Sequence, residues 1–399
     1  MKAAGIAFFE KHAIKNLFEK LEHGGIRLRF WDGEETIYGD VLPKVTIQFN
    51  RPLDNLSSLH DPAMTFGEAY MDGVWDYEGD FDELLRLLKN SSLFTPKNKV
   101  MAKGLRLAGK MVERTQAKQN IAHHYDLGND FFSLWLDKSM SYSCAYFKQS
   151  TDSLEQAQMQ KIEHILKKVN LKPGEKLLDI GCGWGWLIIK AAQLYQVNAL
   201  GITLSEEQYC KVQERINQLG LEKLVKVELV NYLDLDETKY QFDKIVSVGM
   251  FEHVGKENIP LYLNKVNRLL VDGGLSLLHS ITSFEESQEN SWIKKYIFPG
   301  GYVPSVREIL QQFPERDFHL LHTESLRLHY ALTLDHWYAR FSEHTEEIQN
   351  QFGKRFVRMW RLYLKGCAAA FRVDGLDIHQ FLFSKGLNNN LPLTYSRLG

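Results

Sequence analysis

Long apolar runs are missing from this sequence. No stretch approaches the ~20 apolar residues that span a bilayer, so any meeting with a membrane is expected from the side. The opening MKAAGIAFFEKHAIKNLFEKLEHGG has an apolar run too short for a signal peptide, interrupted by Glu10, Lys11 and Lys15 in an amphipathic pattern, and is expected to be a helix of the folded protein. Cysteine is scarce too. Cys144, Cys182, Cys210 and Cys367 are far apart and form no Cys-x-x-Cys pair. That argues against a zinc site or a disulfide framework and fits reduced thiols in a cytosol. An excess of charge is also lacking. With 48 basic against 50 acidic residues, nothing global attracts nucleic acid, and an electrostatic partner must be read by a local patch.

What is present is the composition of a folded protein, 44% hydrophobic and 25% charged, in a chain of 399 residues. That length is too great for one ordinary core, so two domains are expected. Residues 1–95 read as a small mixed α+β domain. A first helix ends near Gly24-Gly25. The strands IRLRFW, TIYGDV and KVTIQF follow, with a weaker one near Leu56 to Leu59, then TFGEAYMDGVWDYEGD and a helix at FDELLRLLKN. Residues 96–120 read as a basic linker helix. Lys97, Lys99, Lys103, Arg106, Lys110, Arg114 and Lys118 against Glu113 give it a net of +6. Lys99, Lys103, Arg106 and Lys110 recur at helical spacing, as a solvated face or as a contact for an anionic surface.

Residues 121–399 form the third part. From Lys172 the strands EKLLDIGC, VNALGIT, VKVELVNY, FDKIVSVGM and GGLSLLHSIT alternate with helices near 186–195, 205–219 and 257–271. Such units predict an α/β fold, a mostly parallel sheet with helices on both faces. A strand near DFHLLHTESL, a long helix over about 335–369 and a last strand near HQFLFSK complete the reading.

The segment LLDIGCGWGW carries a strand into Asp179, then Gly181, Gly183 and Gly185, then a helix. Glycines there permit a tight turn and close approach of a ligand to the backbone. The third glycine comes one residue early for a dinucleotide fingerprint. The second strand also ends without an acidic residue, since Glu206 and Glu207 lie in the next helix. This pattern resembles the Rossmann-like class I methyltransferases. The resemblance implies that the turn, with Cys182 and Trp184, holds the amino-acid end of S-adenosylmethionine. Thr203, Leu204 and Gln208 then hold the adenosine, with Asn231 and Tyr232 flanking the adenine. Gln208 also reads as part of a capping box with Ser205, and Tyr232 as a core aromatic.

Further segments resemble the cyclopropane-fatty-acyl-phospholipid synthases: HHYDLGNDFFSLWLDKSMSYSCAYF, GMFEHVG, LLHSIT and HYALTLDHW, together with GEAYMDGVW, YIFPGGYVPS and LKGCAAAFR. The likeness runs over essentially the whole chain. Mycolic-acid cyclopropane synthases share the catalytic half but differ at the N-terminal domain, which favours intact phospholipids as substrate. The resemblance implies methylene transfer to the cis double bond of an unsaturated acyl chain, with bound bicarbonate as a small mobile base. Cys144 and Ile281 would contact that ion through their backbones, and Glu252, His279 and Tyr330 through side chains. Beside an anion, Glu252 would share a proton with bicarbonate or with His279; alone, it also reads as an ion pair with His253. Tyr125, Tyr142 and Ser143 would cover the cofactor, and His123 and His124 read as structural. Cys367 matches a family cysteine, although an apolar helix is a poor place for a thiolate. Tyr330, Phe147, Phe251, Trp292 and Tyr302 are candidates to face a cationic reaction path. A homodimer, peripheral on the inner face of the cell membrane, is expected. The competing readings are a methyl-branching C-methyltransferase on the same lipids, a small-amine N-methyltransferase and a non-catalytic lipid-binding protein.

Overall fold

The computed structural model describes residues 2–19, 21, 23–53, 61–90, 127–286 and 290–393. The basic segment 97–120, the weak strand near Leu56 to Leu59, and His123, His124 and Tyr125 lie outside the described residues. The chain divides into two compact units.

The first unit comprises residues 1–110, 290–297 and 341–375. Its sheet has the order β2-β1-β3-β4, from β1 (Gly25–Arg29), β2 (Glu35–Gly39), β3 (Val45–Phe49) and β4 (Trp75–Gly79). Alternation fixes which face is inside: Ile26 and Leu28 of β1, and Val45, Ile47 and Phe49 of β3, point into one core. The fourth strand falls within the GEAYMDGVWDYEGD segment, behind the helix Pro62–Met71. Residues 290–297 and 341–375 group here and not with the catalytic part, where sequence order places them. The reason is packing. The helix Lys354–Val373 lies against the helices Pro62–Met71 and Phe81–Asn90, buries Ala369 in this core, and donates from Arg358 Nη2 to the Trp75 carbonyl at 2.8 Å. The single long helix expected over 335–369 is three helices, Arg327–Glu343, Thr345–Phe352 and Lys354–Val373. The last break falls at Gly353, whose φ of +86° no helix continues.

The second unit carries a seven-stranded sheet in the order β10-β11-β9-β8-β5-β6-β7. These strands are β5 (Lys176–Ile180), β6 (Asn198–Thr203), β7 (Val225–Leu229), β8 (Phe242–Val248), β9 (Leu270–Ser283), β10 (Phe318–Ser325) and β11 (Leu376–Lys385). From β7 to β9 all pairs are parallel, while β11 runs antiparallel to both its neighbours. Helices cover both faces. Leu177 packs with Ile188, Ala191 and Val212 on one side, and the next residue, Leu178, with Leu263, Val266 and Phe381 on the other. The chain steps from β5 outward to β7, then returns to β8 on the other side of β5. That reversal opens a crevice beyond the C-terminal ends of β5 and β8, where ligands of such sheets bind.

Candidate active site

A cavity of about 330 Å³ opens at that switch point. All the described residues expected to hold cofactor line it except Gly185. Gly185 (φ +84°) instead caps the helix Trp186–Tyr195, and a Cβ there would come within 2.7 Å of Val212 Cγ1. Its role is packing. Gly183 differs: its φ is +53°, and a Cβ would meet no atom within 4 Å. The space over it belongs to the cavity. Thr203 donates to Gln208 Oε1 at 2.7 Å, and Ser205 Oγ accepts from the Gln208 backbone N–H. Only half of the expected capping box therefore forms, and the Gln208 side chain serves the cavity wall.

Asp179, at the end of β5, is 2% exposed, and its Oδ1 has no protein hydrogen-bond partner among the described residues. Burial raises its pKa to about 7, against the pull of Lys161. A buried carboxylate with an unengaged lone pair fits the ammonium of an amino acid.

The second set lies just behind this wall. Ser143, Gly249 and Met250 line the cavity, and the Gly249 N–H donates to the carbonyl of His279 at 2.9 Å. Glu252 Oε1 accepts from the Ile281 backbone N–H at 2.6 Å. Its Oε2 is buried without a partner among the described residues, and burial raises its pKa. No ion pair with His253 forms; His253 is held neutral by burial, its pKa lowered to about 4. His279 is fully buried and its Nε2 is also unpartnered. Cys144 Sγ reaches the carbonyl of Leu326 at 3.9 Å, and the same carbonyl accepts from the Tyr330 N–H at 3.0 Å. The Leu326 N–H donates to the carbonyl of Ile378, which faces Ile281 across β9 and β11. Short links thus join all five positions. The Ile281 N–H is engaged by Glu252, not open.

Comparisons with known proteins place the chain in a family. Residues 112–381 match the family model described as mycolic acid cyclopropane synthetase, and residues 13–99 match a domain of unknown function. A "Probable fatty acid methyltransferase" of Pseudomonas putida is 38% identical over 93% of this chain and 95% of its own length. A cyclopropane-fatty-acyl-phospholipid synthase of Escherichia coli K12 is 41% identical over 84% of this chain and 86% of its own. Among solved structures, the mycolic acid cyclopropane synthase CmaA1 complexed with SAH and CTAB is 35% identical. It covers 67% of this chain and 98% of its own, with a TM-score of 0.63. The chain belongs to the mycolic acid cyclopropane synthetase family. It is a class I methyltransferase that uses S-adenosylmethionine.

In this methyltransferase two expected residues group with the first unit. Cys367 sits on the Lys354–Val373 helix of the first unit, and burial pushes its thiol up to about 12. Trp292 also belongs to the first unit, its Nε1 3.2 Å from Met71 Sδ. Of the other aromatics, Phe251 packs edge-on against Tyr262, Phe147 stacks on His336, and Tyr302 donates to Glu308.

The sequence reading missed the helix Leu154–Lys168, opened by a capping box of Ser153 and Gln156. Its buried face carries Gln158, Lys161 and Lys168. Gln158 Nε2 donates to the carbonyl of Ser143 at 2.9 Å. Lys161 Nζ donates to Ser143 Oγ at 2.8 Å and lines the cavity, its pKa lowered to about 8 by burial. The signal was present in sequence: these polar residues stand at i, i+3 and i+10 among Leu154, Ala157, Ile162 and Ile165, on the stripe that packs inward.

The Asp179 environment gives a measurable consequence. Its carboxyl titrates near 7 in the ligand-free protein, and the ammonium it receives keeps its proton below about pH 7.7. Binding favours the ionised carboxyl, so below about pH 7 a proton must leave first. Affinity for S-adenosylhomocysteine is expected to weaken with falling pH, approaching about tenfold per unit, and Asp179→Asn to flatten the profile. Calorimetry from about pH 5 to 7 checks this, and a flat wild-type profile contradicts it.

Proposed function

We propose that the protein transfers a methylene group from S-adenosylmethionine to the cis double bond of unsaturated acyl chains in membrane phospholipids, forming a cyclopropane ring with bound bicarbonate as base. One observation carries this reading. Glu252 Oε2 and His279 Nε2 are both buried and without a partner among the described residues, and both residues lie next to the cavity wall in chain or hydrogen bond, Glu252 two residues after Met250 and His279 bonded to Gly249. A carboxylate oxygen and a ring nitrogen call for a small group that can both donate and accept. Bicarbonate has one O–H and acceptor oxygens, and it suits that demand where a hydrocarbon chain does not.

When bound, S-adenosylmethionine supplies an electrophilic methyl, and bicarbonate supplies a base that can reach a carbon whose position varies with the chain. The protein's own residues do the rest. Asp179 and the Gly181–Gly183 turn hold the amino-acid end. Glu252 and His279 hold the anion, with Tyr330, Cys144 and Ile281 around it. Burial of Cys144, His279 and Tyr330 limits water at the reacting carbons. Phospholipid as the acceptor is supported by how far the relatives align. The CmaA1 chain is nearly used up by 67% of this one, whereas the phospholipid synthase of E. coli aligns over 84%.

Among the described residues no helix is long and apolar enough to cross a membrane. Drawing ~10 methylenes of an acyl chain into water would cost ~8 kcal/mol, so the enzyme must dock on the bilayer. We assign docking to the first 95 residues and the basic segment 97–120, peripheral on the inner face of the cell membrane. One vesicle experiment tests both parts. Turnover is expected to fall in carbonate-depleted buffer and return with added bicarbonate. On vesicles it is expected to rise with anionic lipid and fall with salt. Full turnover after rigorous carbonate removal would sink the base, and indifference to anionic lipid would sink the docking assignment.

A further inference from the structure

His279 and Gln380 face each other across the β9–β11 ladder, and both are 0% exposed. Gln380 Nε2 and His279 Nδ1 are 3.1 Å apart. On its other side, Gln380 Oε1 accepts from Lys168 Nζ at 2.8 Å. The Lys168 side chain is itself buried and paired with Glu324, which also takes His164 Nε2 at 2.7 Å.

The donor and acceptor inventory leaves one solution. An ammonium only donates, so the amide oxygen of Gln380 must face Lys168. The amide NH2 then faces His279, and it too only donates. Nδ1 must therefore be the acceptor and carry no proton. Burial lowers the pKa of the ring to about 3, with Lys161 and Lys168 adding to the effect, so the ring is neutral with its one proton on Nε2. That nitrogen is the one left without a partner among the described residues.

We propose that Glu324, Lys168 and Gln380 form a tautomer lock, whose purpose is to present His279 to the reaction site as a neutral Nε2–H donor. The inference rests on the reading above that His279 meets an anion. Gln380 and Lys168 are positioning residues: they touch neither cofactor nor lipid, and they decide which of two ring nitrogens carries the proton. An oxyanion gains nothing from the other tautomer, which would offer it a lone pair.

The test is nitrogen NMR on ligand-free protein labelled with ¹⁵N-histidine, the signal assigned by its loss in His279→Gln. The wild type is expected to show unprotonated Nδ1 and protonated Nε2, unchanged from about pH 5 to 8. Gln380→Glu puts an acceptor opposite Nδ1, so the proton is expected there. Turnover should then drop on the order of 10- to 100-fold, the scale seen when a histidine loses the partner that fixes its tautomer, with affinity for S-adenosylhomocysteine unchanged. Lys168→Met frees the amide to rotate and should give mixed tautomers with an intermediate rate. This second variant keeps the test open if the first does not fold. A wild-type signal with protonated Nδ1, or a Gln380→Glu variant that switches tautomer yet keeps full turnover, overturns the proposal. Failure of the anion reading shows differently, as carbonate-independent turnover with the wild-type tautomer still in place.

Discussion

Glu252→Gln is expected to lose ~10²–10⁴-fold in turnover while keeping its affinity for S-adenosylhomocysteine. The substitution preserves shape. A glutamine carbonyl can still accept from the Ile281 N–H, now 2.6 Å from Glu252 Oε1. What changes is the other atom. The buried, unpartnered Oε2 becomes an NH2 that cannot accept, so the group expected to meet it loses its hydrogen bond and its proton partner. The cofactor cavity is lined by Met250 but not by Glu252, so binding has no reason to follow. Turnover on vesicles and calorimetry on the same preparation separate the two. A parallel collapse of affinity and rate would show that Glu252 belongs to the cofactor site.

Gly183→Val is expected to abolish measurable cofactor binding. At φ +53° with nothing within 4 Å of a Cβ, the position meets no protein atom that could resist a side chain. What the side chain meets is cavity, so two methyl groups would fill the space above the turn. A left-handed conformation also costs a non-glycine residue roughly 1–2 kcal/mol, more for a β-branched one. Calorimetry on folded variant is the measurement, with Gly183→Ala expected to bind weakly. Near-native affinity for the valine variant would move the amino-acid end of the cofactor away from this turn.

The parts of the fold legible in sequence were those written locally. The strand into Asp179, Gly181 and Gly183, and Thr203 and Leu204 at the end of the second strand could be read as one wall, because they stand at the ends of adjacent strands and line one cavity. Glu252 and His279 were legible as members of long motifs. The helix Leu154–Lys168 was not, because lysines at core positions read as a solvated face until Ser143, Gln380 and Glu324 are brought against them. Gln380 was invisible for the same reason: its partner His279 is a hundred residues away and adjacent only through strand register. The grouping of residues 341–375 with the first unit likewise depends on what the helix Lys354–Val373 packs against, which periodicity does not name. Cys367, known only from its motif, also groups with the first unit.

The proposed function requires that one CH2 be added across a double bond of a phospholipid acyl chain. The direct measurement is mass spectrometry of vesicles of monounsaturated phospholipid after incubation with the protein and S-adenosylmethionine, with ozonolysis of the product. The expected result is a gain of one CH2 on intact phospholipid, together with loss of the ozone-cleavable bond. A gain of CH2 with the double bond retained, or a gain on an added amine with the lipid unchanged, would contradict it.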